Sequence, residues 1–352
     1  MLTGSIIDTY HEQLLPFFNN AIEQQGSELY RLCASRKVIM ANSMKMLAED
    51  ITNPYWLETA GGDTQYGQVS TDHRILRTND VAYSILEDAY LIADQGHSES
   101  ETVARHAARM ANRLQLFCEN YLINGKNGVG GIAGTVERHS ANGGAATIPF
   151  KAANTIYAGD RRFGAIDNTN IDRNGTISAG LSVAKILAAS SLMGERFATM
   201  PKVCVTSSYG AYTLMSDPRY ANMQYNPTNA SVITGRLNPI QGIQYFVISE
   251  YVPKNIQMHK ADGTSNLQDT DGGDITGEYA YVFSLDHFMM GQKPVADNSD
   301  WDLSVLPDPT KNHNLSVLFR GSIGSCRLDE DAFYRIEVAR VPGGKTVDWT
   351  GQ

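Results

Sequence analysis

The chain has 352 residues, 42% hydrophobic and 19% charged, with a formal charge of −9. That length suits one large globular domain or two intimately joined ones with a real core. The negative balance argues against general electrostatic attraction to nucleic acid, although local basic faces remain open to it.

Cys33, Cys118, Cys204 and Cys326 are far apart and make no CxxC pair, so a disulfide framework or a zinc site is not expected and assembly in a reducing cytoplasm fits better. The N-terminus lacks the basic region and apolar run of a signal peptide, and no apolar segment reaches membrane-spanning length. A soluble protein with no membrane contact is expected.

In chain order, residues 5–33 read as helical from Ile6, Leu14, Leu15, Phe18, Ile22, Leu29 and Leu32, with Pro16 kinking or dividing the run. A second helical run is expected over "RKVIMANSMKMLAED". Residues 53–80 turn polar and partly alternating and read as an extended hairpin or long arm. "VAYSILEDAYLIAD" fits strand or helix.

The clearest element starts at Ser98, where Ser98 and Glu101 form a capping box. Val103, Ala107, Met110, Leu114, Phe117 and Tyr121 then come at steps of three and four, predicting a helix to Asn124 of roughly 40 Å at about 1.5 Å per residue. Gly125 stands where a C-terminal glycine belongs.

The stretch "NGKNGVGGIAG" carries Gly125-Lys126, and Gly128, Gly130 and Ala133 fit G-x-G-x-x-A. A phosphate loop needs glycine where this chain has Asn120 and Ser or Thr where it has Asn127, and both nucleotide motifs follow a strand, not a helix. A helix cap followed by a flexible loop is the better reading.

Beyond it, "TISAGLSVAKILAASSL" reads as helix, "KVCVTS" as a short buried strand, and "SYGAYTLMSDPRY" as a helix stopped before Pro218. "GIQYFVISEYVP" and "YAYVFSLDHFMM" are β-rich runs separated by a polar loop. "LSVLFRGSIGSC" and "AFYRIEVARV" read as paired strands around "RLDED". The fold class is α+β, with helices and strands segregated.

Candidate chemistry is sparse. Asp269, Asp271, Asp274 and Glu278 miss the EF-hand pattern, with Asp274 where glycine is needed and Ala280 where Glu is needed, and read as a solvated loop. The histidines show no HExxH or other ligand spacing; His106 is read as an interface or surface residue and His287 as packed. No G-x-S-x-G elbow occurs, and Cys326 with its neighbouring serines has little claim as a nucleophile. No catalytic, cofactor or metal residue is assigned. Arg105, Arg109 and Arg113, four apart on the helix side away from its apolar stripe, are either a solvated face partly paired with glutamates such as Glu101 or a contact with a neighbouring subunit or nucleic acid.

The order of these parts resembles the major capsid proteins of tailed bacteriophages, the Hong Kong 97-type fold. "RTNDVAYSILED" resembles the returning strand of that family's extended loop, and "ANRLQLFCENYLING" the end of its spine helix. "AKILAASSLMGERFATMPKVCVTSSYGAYTLM" resembles the axial-domain helix, strand and helix. "IQGIQYFVISEYVP" resembles the strand leading to a proline, and "YAYVFSLDHFMM" and "RGSIGSCRLDEDAFYRIEV" the closing strands. The resemblance covers roughly residues 50–340 and lies in the ordered set, not in one motif.

It implies a helical N-terminal arm at 1–52, an extended loop at 53–80 and a peripheral domain at 81–150 with spine helix 98–124. An axial domain comes next at 151–295, then closing strands of the peripheral domain with a tail at 296–352. It also implies pentamers and hexamers in an icosahedral shell around double-stranded DNA held by non-specific contact, assembled in the host cytoplasm. A separate scaffolding protein, a portal and decoration proteins would be partners, and no cofactor is needed. Intersubunit candidates are Trp56, Tyr66, Gln68, Arg74, Arg77, Arg105, Arg109 and Arg113. The family's founding member cross-links a loop lysine to a neighbour's asparagine; this chain has no lysine between Lys45 and Lys126, and arginine stays protonated, so noncovalent locking is expected. Competing readings are an encapsulin-type shell holding enzyme cargo and a soluble enzyme whose site forms only in three dimensions.

Overall fold

The computed structural model describes residues 27–47, 73–88, 99–139, 145–160, 179–217, 242–294, 301–307, 314–341 and 345–348, with single positions such as Tyr220 and Ile240; in some element ends only the backbone is described. The expected helix before residue 27, the capping serine Ser98 and most of the predicted arm, including Trp56, Tyr66 and Gln68, lie outside the described residues.

Three short helices begin on serine. Ser27, Ser182 and Ser207 each place a hydroxyl under the backbone N–H three residues on, at 3.0, 3.3 and 3.0 Å. This satisfies a donor that the first helical turn leaves open. They start α1 (Glu28–Ala34), α3 (Val183–Leu192) and α4 (Ser208–Met215). Between α1 and α3 comes the long helix α2, Glu99–Asn124, which ends before Gly125 at φ +69°. The glycine cap sits where the sequence puts it.

The apolar stripe of α2 is displaced from the expected one. Ala107, Met110, Leu114 and Tyr121 are buried, but Phe117 is 51% exposed and Cys118 and Leu122 take the inner positions. A real helix drifts against alternating steps of three and four, and one residue of drift carries Phe117 outward.

The described strands form three sheets. A four-stranded sheet runs β2 (Ser43–Leu47), β3 (His73–Arg77), β5 (Val136–His139) and β6 (Ala145–Ile148), all antiparallel. β2 and β3 are thus two legs of a hairpin whose intervening residues are 48–72. The predicted helix over 36–50 is overturned up to Leu47, with 48–50 outside the described residues: Val38–Ile39 (β1) pairs in parallel with Gly291–Gln292, and Ser43–Leu47 pairs with His73–Arg77. Met, Lys and Leu favour helices only weakly, and available strand partners override the preference.

The five-stranded sheet is built on β14 (Asn314–Arg327), flanked by β12 (Phe288–Gln292), β13 (Trp301–Pro307) and β4 (Asn79–Asp88), with β1 on the far side of β12. Residues 79–88 are therefore strand, which resolves the ambiguity of "VAYSILED". The six-stranded sheet runs β7 (Thr155–Ile156), β15 (Phe333–Ala339), β11 (Thr276–Ser284), β8 (Lys202–Thr206) and β9 (Tyr245–Ile248), with β10 (Lys254–Gln257) also on β11. β8 is buried at every position, as "KVCVT" predicts.

The strands on either side of "RLDED" do not pair with one another. β14 belongs to the five-stranded sheet, while β15 crosses to pair with β11 in the register Gly277↔Ala339 to Phe283↔Phe333. A 3₁₀ turn at Glu330–Ala332 makes the crossing. The second crossing is at Leu285–His287, between β11 and β12. Sheet membership therefore changes near 285–288 and 328–333, because a β-rich run supplies strands to both sheets. Phe283, Phe288 and Phe333 pack at both crossings, with ring centroids 5.4–6.2 Å apart, and hold the sheets in one continuous core with α2.

Candidate functional site

The glycine-rich turn after α2 is folded inward. Lys126 and Val129 exchange backbone hydrogen bonds of 2.9 and 3.1 Å, and the N–H groups of Ile132 and Ala133 donate back to Leu122 and Ile123 at 2.9 and 2.7 Å. Gly131 N–H donates to Ser325 Oγ at 2.8 Å. Those N–H groups are committed within the chain, and the carbonyls of the turn face a cation. Arg327 Nη1 donates to the carbonyls of Ile132 and Gly134 at 2.7 and 2.6 Å, with Gly131 O at 3.4 Å.

Arg327 is fully buried, its guanidinium 5.3 Å from the centre of the Phe150 ring, with Glu330 Oε2 at 3.1 Å from Nε. Burial pushes the Glu330 carboxyl up, and Arg327 offsets part of that. The turn therefore binds its own chain's arginine. The expected flexible loop is an anchored one, and immediately beyond it Val136–His139 pairs with Ala145–Ile148.

Other candidate groups are occupied in the same way. Asp269 is buried and accepts from the N–H groups of Asp271 and Gly273 at 2.9 and 2.8 Å and from Lys345 Nζ at 2.8 Å; Lys345 is the largest influence holding its carboxyl below the usual range. Glu278, expected in the solvated loop, lies buried in β11, where it meets Ser207 and accepts from Gly210 N–H at 3.2 Å. The acidic stretch is thus pinned at both ends, because its first and last carboxylates meet partners remote in sequence, in the tail and at the start of α4.

Among the described residues no group of three or more His, Cys, Asp and Glu side chains is arranged to hold a metal ion. Cys33, Cys204 and Cys326 are buried, and burial pushes their thiols up to about 12, so they stay protonated. His287 is buried, edge-on to Phe197 at 4.9 Å, with Ser284 Oγ at 3.4 Å from Nδ1. That pair is enclosed, out of reach of a substrate. The side chain of His106 lies outside the described residues.

The predicted contact residues separate into two places. Arg105, Arg109 and Arg113 are all exposed along α2, and Arg113 Nη1 lies 3.5 Å from the Tyr83 hydroxyl. Leu116 and Phe117 continue the same helix face, 37% and 51% exposed. Arg74 and Arg77 sit on β3, away from this ridge. Arg77 pairs with Glu137 at 2.5 Å, and Arg74 Nε reaches the Leu328 carbonyl at 3.4 Å.

No protein-family model matches the sequence, and no curated protein matches it. The structure, however, is similar to solved capsid structures. A chain of the Ralstonia phage GP4 capsid superposes with a TM-score of 0.54 at 13% identity, over 86% of this chain and 86% of that one. A chain of the cyanophage P-SCSP1u capsid gives 0.50 at 12%, over 87% and 86%. A chain from the satellite phage P4 procapsid with its size-determination protein gives 0.50 at 12%, over 93% and 91%. At such identities the shared property is the fold: this α+β chain has the fold of phage capsid structures. No described helix is long and apolar enough to cross a membrane.

Proposed function

We propose that the chain is a tailed-bacteriophage major capsid protein of the Hong Kong 97 type, which assembles as pentamers and hexamers into an icosahedral shell around double-stranded DNA. The observation that carries this reading is a fold shared with capsid structures over 86–93% of this chain and 86–91% of theirs. In this reading α2 is the spine helix, and the hairpin legs β2 and β3 carry the extended loop. The five-stranded sheet is the peripheral domain's, and the six-stranded sheet the axial domain's. The N-terminal arm precedes them.

The surface of the single chain agrees with such a role. Ile39, Leu192, Tyr212 and Phe117 are 66, 52, 62 and 51% exposed and lie on different elements. Several separate apolar spots suit a subunit that makes many modest contacts, which become strong together once a closed shell raises the effective concentration. The role is structural, with virion capsid as the location and host cytoplasm as the place of assembly. Portal, scaffolding and decoration proteins are the partners it implies.

Electron microscopy of the purified protein tests the reading: shells are expected. Nuclease-protected DNA inside native particles supports the viral assignment, and enzyme cargo in its place supports an encapsulin. A small oligomer at every salt and protein concentration returns the problem to a soluble enzyme.

A further inference from the structure

Asn-Gly pairs occur four times in the sequence, at 124–125, 127–128, 142–143 and 174–175. The last two lie outside the described residues. The first two stand three residues apart in one turn, and the fold treats them in opposite ways.

Asn124 closes α2 with its reactive groups engaged. Its Nδ2 donates to Asn120 Oδ1 and to the Tyr251 carbonyl, each at 2.8 Å. The N–H of Gly125 donates to the Tyr121 carbonyl at 2.8 Å, and a Cβ on Gly125 would stand 2.2 Å from Val129 O. The backbone there is crowded as well as bonded.

Asn127 and Gly128 are the two central residues of the tip. Lys126 and Val129 close it, and φ is +54° at Asn127 and +78° at Gly128, as in a type I′ turn. Both residues are exposed, and nothing lies within 4 Å of the place a Cβ would take on Gly128. Thr135 holds the Gly128 carbonyl through its N–H and hydroxyl, at 2.7 and 3.0 Å. The Gly128 N–H and the Asn127 side chain, by contrast, have no hydrogen-bond partner among the described residues. Left-handed backbone is unfavourable for a residue with a Cβ, so little beyond the flanking bonds keeps Asn127 in it.

We propose that Asn127 is a site of spontaneous deamidation in the folded protein and that Asn124 is protected from it. The Gly128 nitrogen, giving up its proton to water, attacks Asn127 Cγ. A C–N bond forms, the bond from Cγ to Nδ2 breaks, and ammonia leaves carrying a proton returned by water. Glycine leaves the nitrogen unobstructed for that approach. The five-membered imide then takes up water. Opening at Cγ gives aspartate at 127, and opening at the backbone carbonyl gives isoaspartate, whose main chain is longer by a carbon. Either product adds a negative charge on the rim of a cavity of about 300 Å³ that Lys126, Arg77, Glu137 and Tyr121 also line. Isoaspartate also lengthens the tip that Lys126 and Val129 close.

Peptide mapping of the full-length protein, held folded at mildly alkaline pH, tests this. A glutamate-specific protease cutting at Glu119 and Glu137 releases both pairs in one peptide, and its fragmentation assigns each change to 124 or 127. A sample taken at the start subtracts conversion during digestion. Asn127 should gain the mass of an amide turned to an acid, in two products, one of them a substrate for an isoaspartyl methyltransferase. It should convert at least about tenfold faster than Asn124, a decade being about 1.4 kcal/mol, the order of the cost of breaking the bonds at Asn124. In urea the two sites should convert at similar rates, since the same dipeptide then decides. Gly128→Ala should slow conversion at 127 in urea as well as in buffer, so that variant reports even where its turn is strained.

Asn127 that stays an amide in the folded protein, whether or not it converts in urea, or Asn124 that converts as fast as Asn127 before unfolding, would overturn the inference. The readout needs no shell, so its outcome is independent of the capsid reading.

Discussion

Arg327 Nη1 lies 2.7 Å from the carbonyl oxygen of Ile132, 195 positions away in sequence. Through that contact the last strand of the five-stranded sheet fixes the turn that ends α2. Arg327→Met would leave the turn carbonyls without their donor and the half-buried Glu330 without its nearest cation. Removing one member of a buried ionic network costs about 3–5 kcal/mol. Denaturant unfolding should show a loss of that order; a loss under about 1 kcal/mol would mean that Arg327 is an ornament of the turn.

The same turn separates two glycines. At Gly131, φ is +72° and an added Cβ would stand 2.6 Å from Gly125 N; at Gly128, φ is +78° but nothing lies within 4 Å. Gly128→Ala should cost only the left-handed backbone penalty, about 1–2 kcal/mol. Gly131→Ala should cost clearly more, since backbone must also move. Equal unfolding midpoints for the two variants would contradict the packing of this turn.

Lys185 on α3 is fully buried and donates to the carbonyls of Ala158 and Ala179 at 3.3 and 3.5 Å. Burial lowers its ammonium from the ordinary 10.5 to about 8 despite Glu337 and Asp160. Between those values the unfolded chain holds a proton that the folded chain has released, so this group's contribution to stability rises with pH. The unfolding free energy of wild type minus that of Lys185→Met should therefore climb by roughly 3 kcal/mol from pH 8 to 10.5. The buried thiols, pushed up by burial, lower stability above about pH 9 in both proteins and cancel in the difference. A flat difference would place Lys185 in contact with water.

Covalent locking of a mature shell is not expected. A lysine nucleophile is missing from the whole stretch between Lys45 and Lys126, which includes the proposed loop. Boiled, reduced particles should run as a single band near 38.6 kDa on a denaturing gel. A ladder of oligomers that survives reduction would show another cross-linking pair.

How much of this is legible in the sequence depends on where each element finds its partners. α2 and its glycine cap can be read because both signals are local: an apolar repeat and one left-handed position. β8 can be read because a strand buried on both faces is a continuous apolar run. Residues 38–47 cannot, since their partners, β12 and β3, lie elsewhere in the chain and their own propensities favour helix. The division of β14 and β15 between two sheets is hidden because pairing leaves no trace in composition. Arg327 escapes sequence reasoning as well, though an arginine closing an apolar strand, with Glu330 three residues on, is a signal. The ridge Arg105, Arg109, Arg113 is visible from spacing alone, but Leu116 and Phe117 join it only once the true rotation of α2 is known.

The most direct test of the central claim is negative-stain electron microscopy of the purified full-length chain, taken across a series of salt and protein concentrations. Closed shells with five- and six-fold clusters of subunits are the predicted result. Protein that stays a monomer or small oligomer under every condition, while folded by circular dichroism, would contradict it.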